Sequence, residues 1–478
     1  MGFESKTRSK LQQAGLVLVG VCAGVAISLN YSANANKEAT EPLPVEELRT
    51  FAEVFSAIKQ GYVEPVEDKK LITNAISGML SGLDPHSTYL DADAFKDLQV
   101  GTQGEFGGLG IEVGMEDGFV KVISPIEDTP AFRAGVRPGD LIIKLDDTPV
   151  KGMSLNDAVK KMRGKPKTQI KLTIARKGEM KPIEVTLTRE IIQVQSVKAR
   201  MLEPGIGYIR IAQFQENTAA TLAKELTRLE KQGMTSIILD LRNDPGGLLH
   251  AAVGVSGAFL PGKALVVSTD GRTEDSRHKF YASPEDYLRG GKEDYLKTIP
   301  ASVKTMPIVV LVNGATASAS EIVAGALQDH KRAVVVGTQT FGKGSVQTVL
   351  PLTSNTAIKL TTARYFTPSG RSIQAKGISP DIVVEDTPSG SFTRIHEADL
   401  ENHLEGGAQS APAATKPTSK ADEPAKAKDV KAPKEGGKDK EKADVETPAV
   451  FELGGKNDYQ LAQALNVLKG MQLAQQVR

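Results

Sequence analysis

PIVVLVNGATASASEIVAGALQDHKRAVVVGTQTFGKG, residues 307–344, reads as strand, turn, helix, strand and turn. Pro307–Val312 is an unbroken aliphatic run closed by Asn313-Gly314, the pattern of a strand buried on both faces. Ser318–Gln328 is apolar at helical length, and Arg332–Val336 is a second buried run. The same alternation precedes it. Ile206–Ile211 reads as a strand, Thr218–Gln232 as an amphipathic helix, Ser236–Leu241 as a buried strand and Leu248–Leu260 as a small-residue helix. Strand and helix in regular turn predict an α/β domain with helices packed on a sheet.

Outward from this domain the chain changes character twice. Over residues 104–190, short β-branched runs alternate with Gly, Pro and Asp turns: Gly110–Val113, Phe119–Ile123, Asp140–Leu145, Gln169–Ala175 and Ile183–Thr188, with a helix at Ser154–Met162. Such a series makes a compact β-rich module. Upstream, Val45, Leu48, Phe51, Phe55 and Ile58 recur at helical spacing, and a second helix over Lys69–Leu80 is stopped by Gly82-Leu83-Asp84-Pro85. Downstream, residues 411–447 contain no aromatic, Leu, Ile or Met, and 17 of these 37 residues are charged with both signs mixed. That stretch buries too little to offset its ordering entropy and is expected to be a disordered linker. Beyond it, Leu461, Ala464, Leu465, Leu468 and Met471 give an apolar face to a helix over Asp458–Gln475. A helix on such a tether must cover a surface, on its own chain or on a second copy.

The N-terminus has Lys6, Arg8 and Lys10, an apolar run of 16 residues from Ala14 to Leu29, and small residues ending in Ala33-Asn34-Ala35. The run is shorter than the ~20 residues of a spanning helix. It has the plan of a secretory signal peptide over residues 1–35, with an uncleaved anchor as the alternative. Cys22 lies within it, preceded by Val21 rather than by the small residue a lipid-attachment site prefers. A single cysteine in 478 residues excludes a disulfide framework and a Cys-based metal site. Six scattered histidines offer no paired ligand spacing for zinc. With 59 Lys plus Arg against 58 Asp plus Glu, the net charge of +1 provides no electrostatic case for a nucleic-acid partner.

Three segments suggest chemistry. Gly337–Gly344 nearly matches a phosphate-binding loop, but Gly344 stands where the Mg²⁺-binding hydroxyl belongs, and Ser345–Leu350 alternates like a strand where a helix is required. Lys343, between two glycines, is then either a solvated loop lysine or a buried one. Asn313–Glu321 joins a buried strand to an apolar helix. Ser318 and Glu321 have the spacing of a capping box, which alone accounts for a serine there. A strand-to-helix turn is also where hydrolases hold a nucleophile, and three hydroxyls among alanines exceed the needs of one cap. Asp240–Gly247 ends another buried strand in Pro245-Gly246-Gly247, either an ordinary tight turn or a pair of oxyanion donors. No histidine lies in these segments, although His250 and His330 remain alternatives that fold inwards. The other base available to a serine is a lysine. Its ordinary pKa of about 10.4 must fall by a few units through burial before it works near neutrality.

Taken together, these residues resemble the carboxyl-terminal processing proteases, tail-specific serine proteases of the S41 peptidase family with an embedded PDZ domain. The resemblance runs from about Val45 to Asp381. It rests on Gly82–Ser87, Gly108-Leu109-Gly110-Ile111, Pro130-Ala131 with Ala134-Gly135 and Gly139-Asp140, Asp240-Leu241-Arg242, Pro245-Gly246-Gly247, Ala317–Glu321 and Phe341–Gly344. The implied fold is multidomain: a β-rich PDZ module, a crotonase/ClpP-like α/β protease core, and helical segments at both termini. The boundaries that follow are a signal peptide over 1–35, an N-terminal helical region over 36–103, the PDZ domain over 104–190, the protease core over 191–390, the charged linker over 391–450 and a C-terminal helix over 451–478.

The resemblance implies Ser318 as nucleophile, Lys343 as base and Gln347 as supporting amide, with oxyanion N–H groups from Gly246 and Ala319. It implies that Gly108, Leu109, Gly110 and Ile111 cradle the carboxylate of a substrate protein's C-terminus, added as a strand to the module's edge. No metal or cofactor is implied. Location in the periplasm, an adaptor or activator protein, and homo-oligomers assembled through the terminal helices are further expectations. The competing reading is a non-catalytic PDZ scaffold that binds protein C-termini, in which Ser318, Lys343 and Gln347 would have no use together.

Overall fold

The structure is a computed structural model and describes residues 43–407, apart from 127, 194, 291–292, 389 and 391–393, together with residues 453–476. The expected signal peptide, and the part of the expected linker from 408 to 450, lie outside the described residues.

The chain divides into two compact units, Met1–Asn74 and Ala75–Arg478. In the first, the helix Val45–Gly61 places Glu46 and Glu47 in its first turn and Lys59 in its last, the charge order a helix dipole favours. None of its residues is buried, so Leu48, Phe51, Val54 and Ile58 stand exposed on it.

The second unit is built on a six-stranded sheet in the order Val197–Glu203, Ile206–Ile211, Ser236–Asp240, Ile308–Val312, Val334–Gly337, Ile382–Val383. The first pair is antiparallel and every later pair is parallel. Ser236–Asp240 and Ile308–Val312 are buried at every position, as their unbroken apolar runs require. Alternate residues serve different layers. Ile237, Leu239, Ile308, Val310 and Val312 pack with the helices Thr218–Lys231, Leu249–Phe259 and Ala319–Asp329. Ile238, Val309 and Leu311 pack instead with Leu461, Ala464 and Leu468 of the helix Tyr459–Gln476. The sheet's parallel strands all end toward the loops that follow Asp240, Val312 and Gly337.

A second sheet pairs Thr88–Leu90, Ala357–Phe366, Leu265–Gly271 and His278–Tyr281 in that order, with Ser345–Pro351 also on Ala357–Phe366. The β-rich module has its own sheet, from Ile111–Glu116 through Phe119–Pro125, Leu141–Leu145 and Gln169–Ala175 to Ile183–Thr188. Ile111–Glu116 is an edge of that sheet. The expected helix begins at Leu155, with Ser154 capping it through a 3.2 Å bond from Asp157 N–H.

One expectation about the C-terminal region is corrected, and one open alternative is decided. The linker was expected from 391, yet Arg394–Gly407 packs on the core. Glu397 N–H donates to Phe341 O at 3.0 Å, and Gln374 Nε2 donates to Leu404 O at 2.9 Å. Composition hid this because the contacts are polar and specific rather than apolar. The C-terminal helix, offered as a docking or an assembling element, covers its own sheet, so its apolar face is not free for a second copy.

A buried ion network fixes that helix. Arg242, fully buried, donates through Nε and Nη2 to Asp240 at 3.0 and 2.6 Å and through Nη1 and Nη2 to Asp458 at 2.8 and 2.6 Å. Asp458 also caps the helix, accepting from Leu461 N–H at 3.0 Å. Burial would raise its carboxyl pKa, but the Arg242 hydrogen bonds and charge hold it below the ordinary value. Removing one member leaves a buried charge uncompensated, which costs about 3–5 kcal/mol. Asp458→Ala is therefore expected to lower the urea midpoint by a stability loss of that size; a loss below ~1 kcal/mol would show that the helix is not held this way.

Candidate functional site

The site lies where the loops after three parallel strands meet, the usual place for ligands on an open α/β sheet. The loop after Ile308–Val312 reaches Ser318, whose backbone has φ 56° and ψ −113°. A non-glycine residue there is strained by about 1–3 kcal/mol, a conformation retained where the surroundings over-determine it. The surroundings do so here. Ala317 N–H donates to Asp244 O at 2.9 Å, and Ser318 N–H to Glu321 Oε2 at 2.7 Å.

Glu321 is the residue that sequence reasoning undervalued. Its spacing from Ser318 reads as a helix cap, and it is the one charged residue within the buried stretch Ala319–Leu327. The same Oε2 that binds Ser318 N–H accepts Lys343 N–H at 2.9 Å, while Oε1 accepts Gly342 N–H at 2.8 Å and the Thr340 hydroxyl. One carboxylate thus joins the backbone of Ser318 to that of Lys343. Burial pushes its pKa up to about 7, against four hydrogen bonds that favour the charged form. The available signal was a lone charge inside Ala319–Leu327.

Lys343 is half-buried. Burial, then the charge of Lys359, lowers its pKa, while Glu397, Glu321 and Asp84 act weakly in the opposite sense. It forms no ion pair among the described residues. Its loop is held from the far side as well. Gly344 N–H donates to Gln374 Oε1 at 3.0 Å, and Gln374 Nε2 donates to Glu397 Oε1 at 2.9 Å. Glu397 in turn meets His86 Nε2 at 2.8 Å. Gln347 stands on the adjoining strand, and its amide nitrogen donates to Ser345 Oγ at 2.9 Å and Thr361 Oγ1 at 3.3 Å.

Gly246 lies against Ser318 and Ala319. A Cβ added to it would stand 2.8 Å from Ser318 Cβ and 2.8 Å from Ala319 N, so glycine is required by the approach as well as by its φ of 97°. Ala319 opens the helix and its N–H has no helical acceptor. Gly246 N–H differs from expectation: it donates to Asp244 Oδ1 at 2.8 Å and is not open toward a ligand in this structure. The physical reason is local, a short turn in which the carboxylate two residues back reaches the amide. Asp244 Oδ2 is buried without a partner among the described residues, and burial pushes this carboxyl up to about 8. Of the two histidines that remained as alternatives, His250 meets Glu216 at 3.0 Å and His330 meets Leu265 O at 2.7 Å, and neither has a hydrogen bond to Ser318 among the described residues.

In the β-rich module, Gly108 ends the strand Glu105–Gly108, paired with Glu190, and Leu109-Gly110 turns into the edge strand at Ile111. Gly110 has φ 75°, and a Cβ on it would lie 2.2 Å from Thr129 Cβ, so no other residue fits this turn. The N–H groups of Leu109 and Gly110 have no main-chain acceptor among the described residues.

A serine loop and a lysine loop thus meet beside a glycine turn at the end of one sheet, and a β-rich module on a sheet of its own precedes them in the chain. Comparison with known proteins identifies the family. Residues 205–384 match peptidase family S41, residues 107–187 match the PDZ domain, and residues 24–94 match the N-terminal domain of the activating protease CtpB. The chain is 46% identical over 398 residues to a carboxy-terminal-processing protease of Bartonella bacilliformis, covering 81% of this chain and 88% of that one. It is 37% identical over 332 residues to the carboxy-terminal processing protease CtpA of Bacillus subtilis, covering 69% of this chain and 67% of that one. Among solved structures, the photosystem II D1 C-terminal processing protease aligns over 72% of this chain and 95% of its own, at 32% identity and a TM-score of 0.40. The chain belongs to peptidase family S41, as a PDZ-containing carboxy-terminal processing protease.

Asp244 makes a pH-dependent contribution that can be read directly. Its carboxyl has an ordinary pKa of 3.8 and is held at about 8 when folded. Between those values the folded state keeps a proton that the unfolded state releases, so this group's contribution falls as pH rises. Asp244→Asn keeps the acceptor for Gly246 but does not titrate. Its stability relative to wild type is expected to increase by ~1.4 kcal/mol per pH unit across that window, measured by urea unfolding at several pH values. A difference independent of pH would show that Asp244 titrates normally.

Proposed function

We propose that this protein is a serine-type endopeptidase that takes substrate proteins by their C-termini and cleaves them with Ser318 and Lys343. The observation that supports the dyad is the shared Glu321 carboxylate, which ties both loops into one rigid unit around a lysine whose pKa burial has lowered. In the proposed reaction, neutral Lys343 Nζ takes the Ser318 Oγ proton as Oγ attacks the scissile carbonyl. The lysine returns that proton to the leaving amine. Water, deprotonated by Lys343, then attacks the acyl carbonyl; the ester bond to Ser318 Oγ breaks, the product leaves as an acid, and the lysine returns the proton to Oγ. Ala319 N–H, together with Gly246 N–H once Asp244 releases it, would stabilise the oxyanion, and Gln347 would support the lysine's surroundings. Because Gly246 is engaged in this structure, a substrate or an activator must open the turn, which agrees with an activator partner.

The PDZ module would supply recognition. The unbonded N–H groups at Leu109 and Gly110, with Ile111 on an open edge strand, suit a terminal carboxylate on an added strand. The expected signal peptide supports a periplasmic location, where envelope proteins would be the substrates. The exposed apolar stripe of Val45–Gly61 supports assembly, with a second copy or an adaptor, through the N-terminal region.

The test is cleavage of an unstructured protein with an apolar C-terminus by wild type, Ser318→Ala and Lys343→Ala. Loss of cleavage in both variants, with unchanged circular dichroism, is expected; cleavage surviving in both would refute the dyad. Neutral lysine is the active form, so kcat/KM should rise with pH and level off below the ordinary lysine value, because burial lowers the Lys343 pKa. A rise that continues through about 10.4 would mean an unperturbed lysine. Amidating the substrate's C-terminus should lower kcat/KM by ~10–100-fold, the value of one or two hydrogen bonds to a charged group. Equal rates for acid and amide would remove the PDZ cradle from recognition.

A further inference from the structure

A cavity of about 960 Å³ opens between the edge strand Val197–Glu203, the strand Ile206–Ile211 and the segment 453–456. Among the described residues its charged lining is Lys198, Arg200, Arg210 and Lys456, with no carboxylate. The strand register places Lys198 directly opposite Arg210 and Arg200 directly opposite Tyr208. Like charges facing each other across an antiparallel pair are destabilising, so the fold holds this arrangement against its own stability.

The nearby acids do not neutralise it. Asp240 and Asp458 both face Arg242, and Tyr208 donates to Asp240 at 2.8 Å from the cavity floor. Glu203 pairs with Lys469 at 2.7 Å. Arg200 lies 5.4 Å over the Tyr208 ring and donates to Gly454 O, which orients it without cancelling its charge. Lys198, Arg210 and Lys456 form no ion pair among the described residues.

The position of the cavity indicates what it receives. Arg210 is the register partner of Asp240, at the carboxyl end of the parallel strands, and Asn243 of the loop leading to Gly246 lines the same space. The cavity therefore adjoins the loops that surround Ser318. Its volume suits several side chains, and the edge strand beside it offers main-chain groups to an extended polypeptide.

We propose that this cavity is a substrate subsite that receives acidic side chains of the polypeptide being cleaved; this rests on the proteolytic reading above. Lys198 and Arg210 make the central pair, with Arg200 and Lys456 at the sides. The subsite gives the protease a preference within substrates that share a C-terminus.

The experiment compares an unstructured peptide carrying several glutamates, upstream of an apolar C-terminus, with its glutamine counterpart. The ratio of kcat/KM for acidic over neutral peptide should be about tenfold or more in wild type at low salt, the size of one hydrogen bond to a charged group. It should collapse toward one in Lys198→Gln/Arg210→Gln and, for wild type, at high salt. A ratio unchanged by the double substitution overturns the proposal. The single variants Lys198→Gln and Lys456→Gln, both at exposed residues, guard against misfolding in the double variant, and each should reduce the ratio in part. If wild type alone cleaves neither peptide, fluorescence anisotropy with the labelled peptides decides the cavity independently of the proteolytic reading. Tighter binding of the acidic peptide, lost in the double variant, upholds an acidic-polypeptide site; equal binding of both peptides overturns it.

Discussion

The Glu321 carboxylate is the interaction on which the site depends. Four donors from two loops converge on it: Ser318 N–H, the Thr340 hydroxyl, Gly342 N–H and Lys343 N–H. A buried carboxylate is costly unless its lone pairs are met, and here the donors that meet them belong to the two segments that must be held together. The constraint acts in both directions. The loops give the carboxyl its partners, and the carboxyl ties the backbone of Ser318 to that of Lys343. The strained φ of Ser318 follows from this, because the helix beginning at Ala319 and the bond to Oε2 leave that peptide one orientation.

The second support comes from the chain's own C-terminal part. Arg242 stands two residues after the strand Ser236–Asp240 and precedes the turn at Gly246, and it is closed off by Asp458 at the start of the last helix. Asn243, the next residue, exchanges hydrogen bonds with Asn313 at 3.0 and 2.9 Å and accepts from Arg394 at 3.1 Å. Arg394 and Glu397 belong to one short segment, which therefore touches both the glycine turn and, through Gln374, the lysine loop. The tail covers one face of the sheet with Leu461 and Leu468, each worth about 2 kcal/mol of burial, and its polar residues set the loops at the sheet's end.

Legibility in the sequence followed the range of the interaction. The runs at Ser236–Asp240 and Ile308–Val312, the helices that follow them and the alternating strands of the PDZ module were readable because burial leaves a periodic trace in the chain. Ser318 and Lys343 were readable as candidates because small residues and glycines flank them, and the resemblance selected between Ser318 and Ser320. Glu321 was seen only as a cap, since a local spacing explained it and nothing local pointed to Gly342 and Lys343. Arg394–Gly407 was assigned to the linker because Gln374, Phe341 and Asn243, which hold it, are distant in sequence. The Lys198–Arg210 pairing was invisible until the register of two strands was known.

The glycine turn shows how little must change for the site to open. Everything around it is fixed: Asp240 and Arg242 by the buried network, Asn243 by Asn313, and Asp244 O by Ala317 N–H and the Ser320 hydroxyl. Gly246 and Gly247, with φ of 97° and 145°, are tied in turn to Phe214, whose N–H donates to Gly246 O at 2.9 Å and whose O accepts Leu248 N–H at 2.8 Å. For Gly246 to donate to an oxyanion, only its bond to Asp244 Oδ1 must break. The carboxyl that loses this donor is buried, with its other oxygen already unpartnered among the described residues. Protonation makes that loss tolerable, because a neutral acid is less dependent on a donor than a carboxylate, and burial already favours the neutral form up to about pH 8. In this structure the turn is thus held by one hydrogen bond to a buried acid, set within a frame fixed by the Asn313, Ala317 and Ser320 bonds.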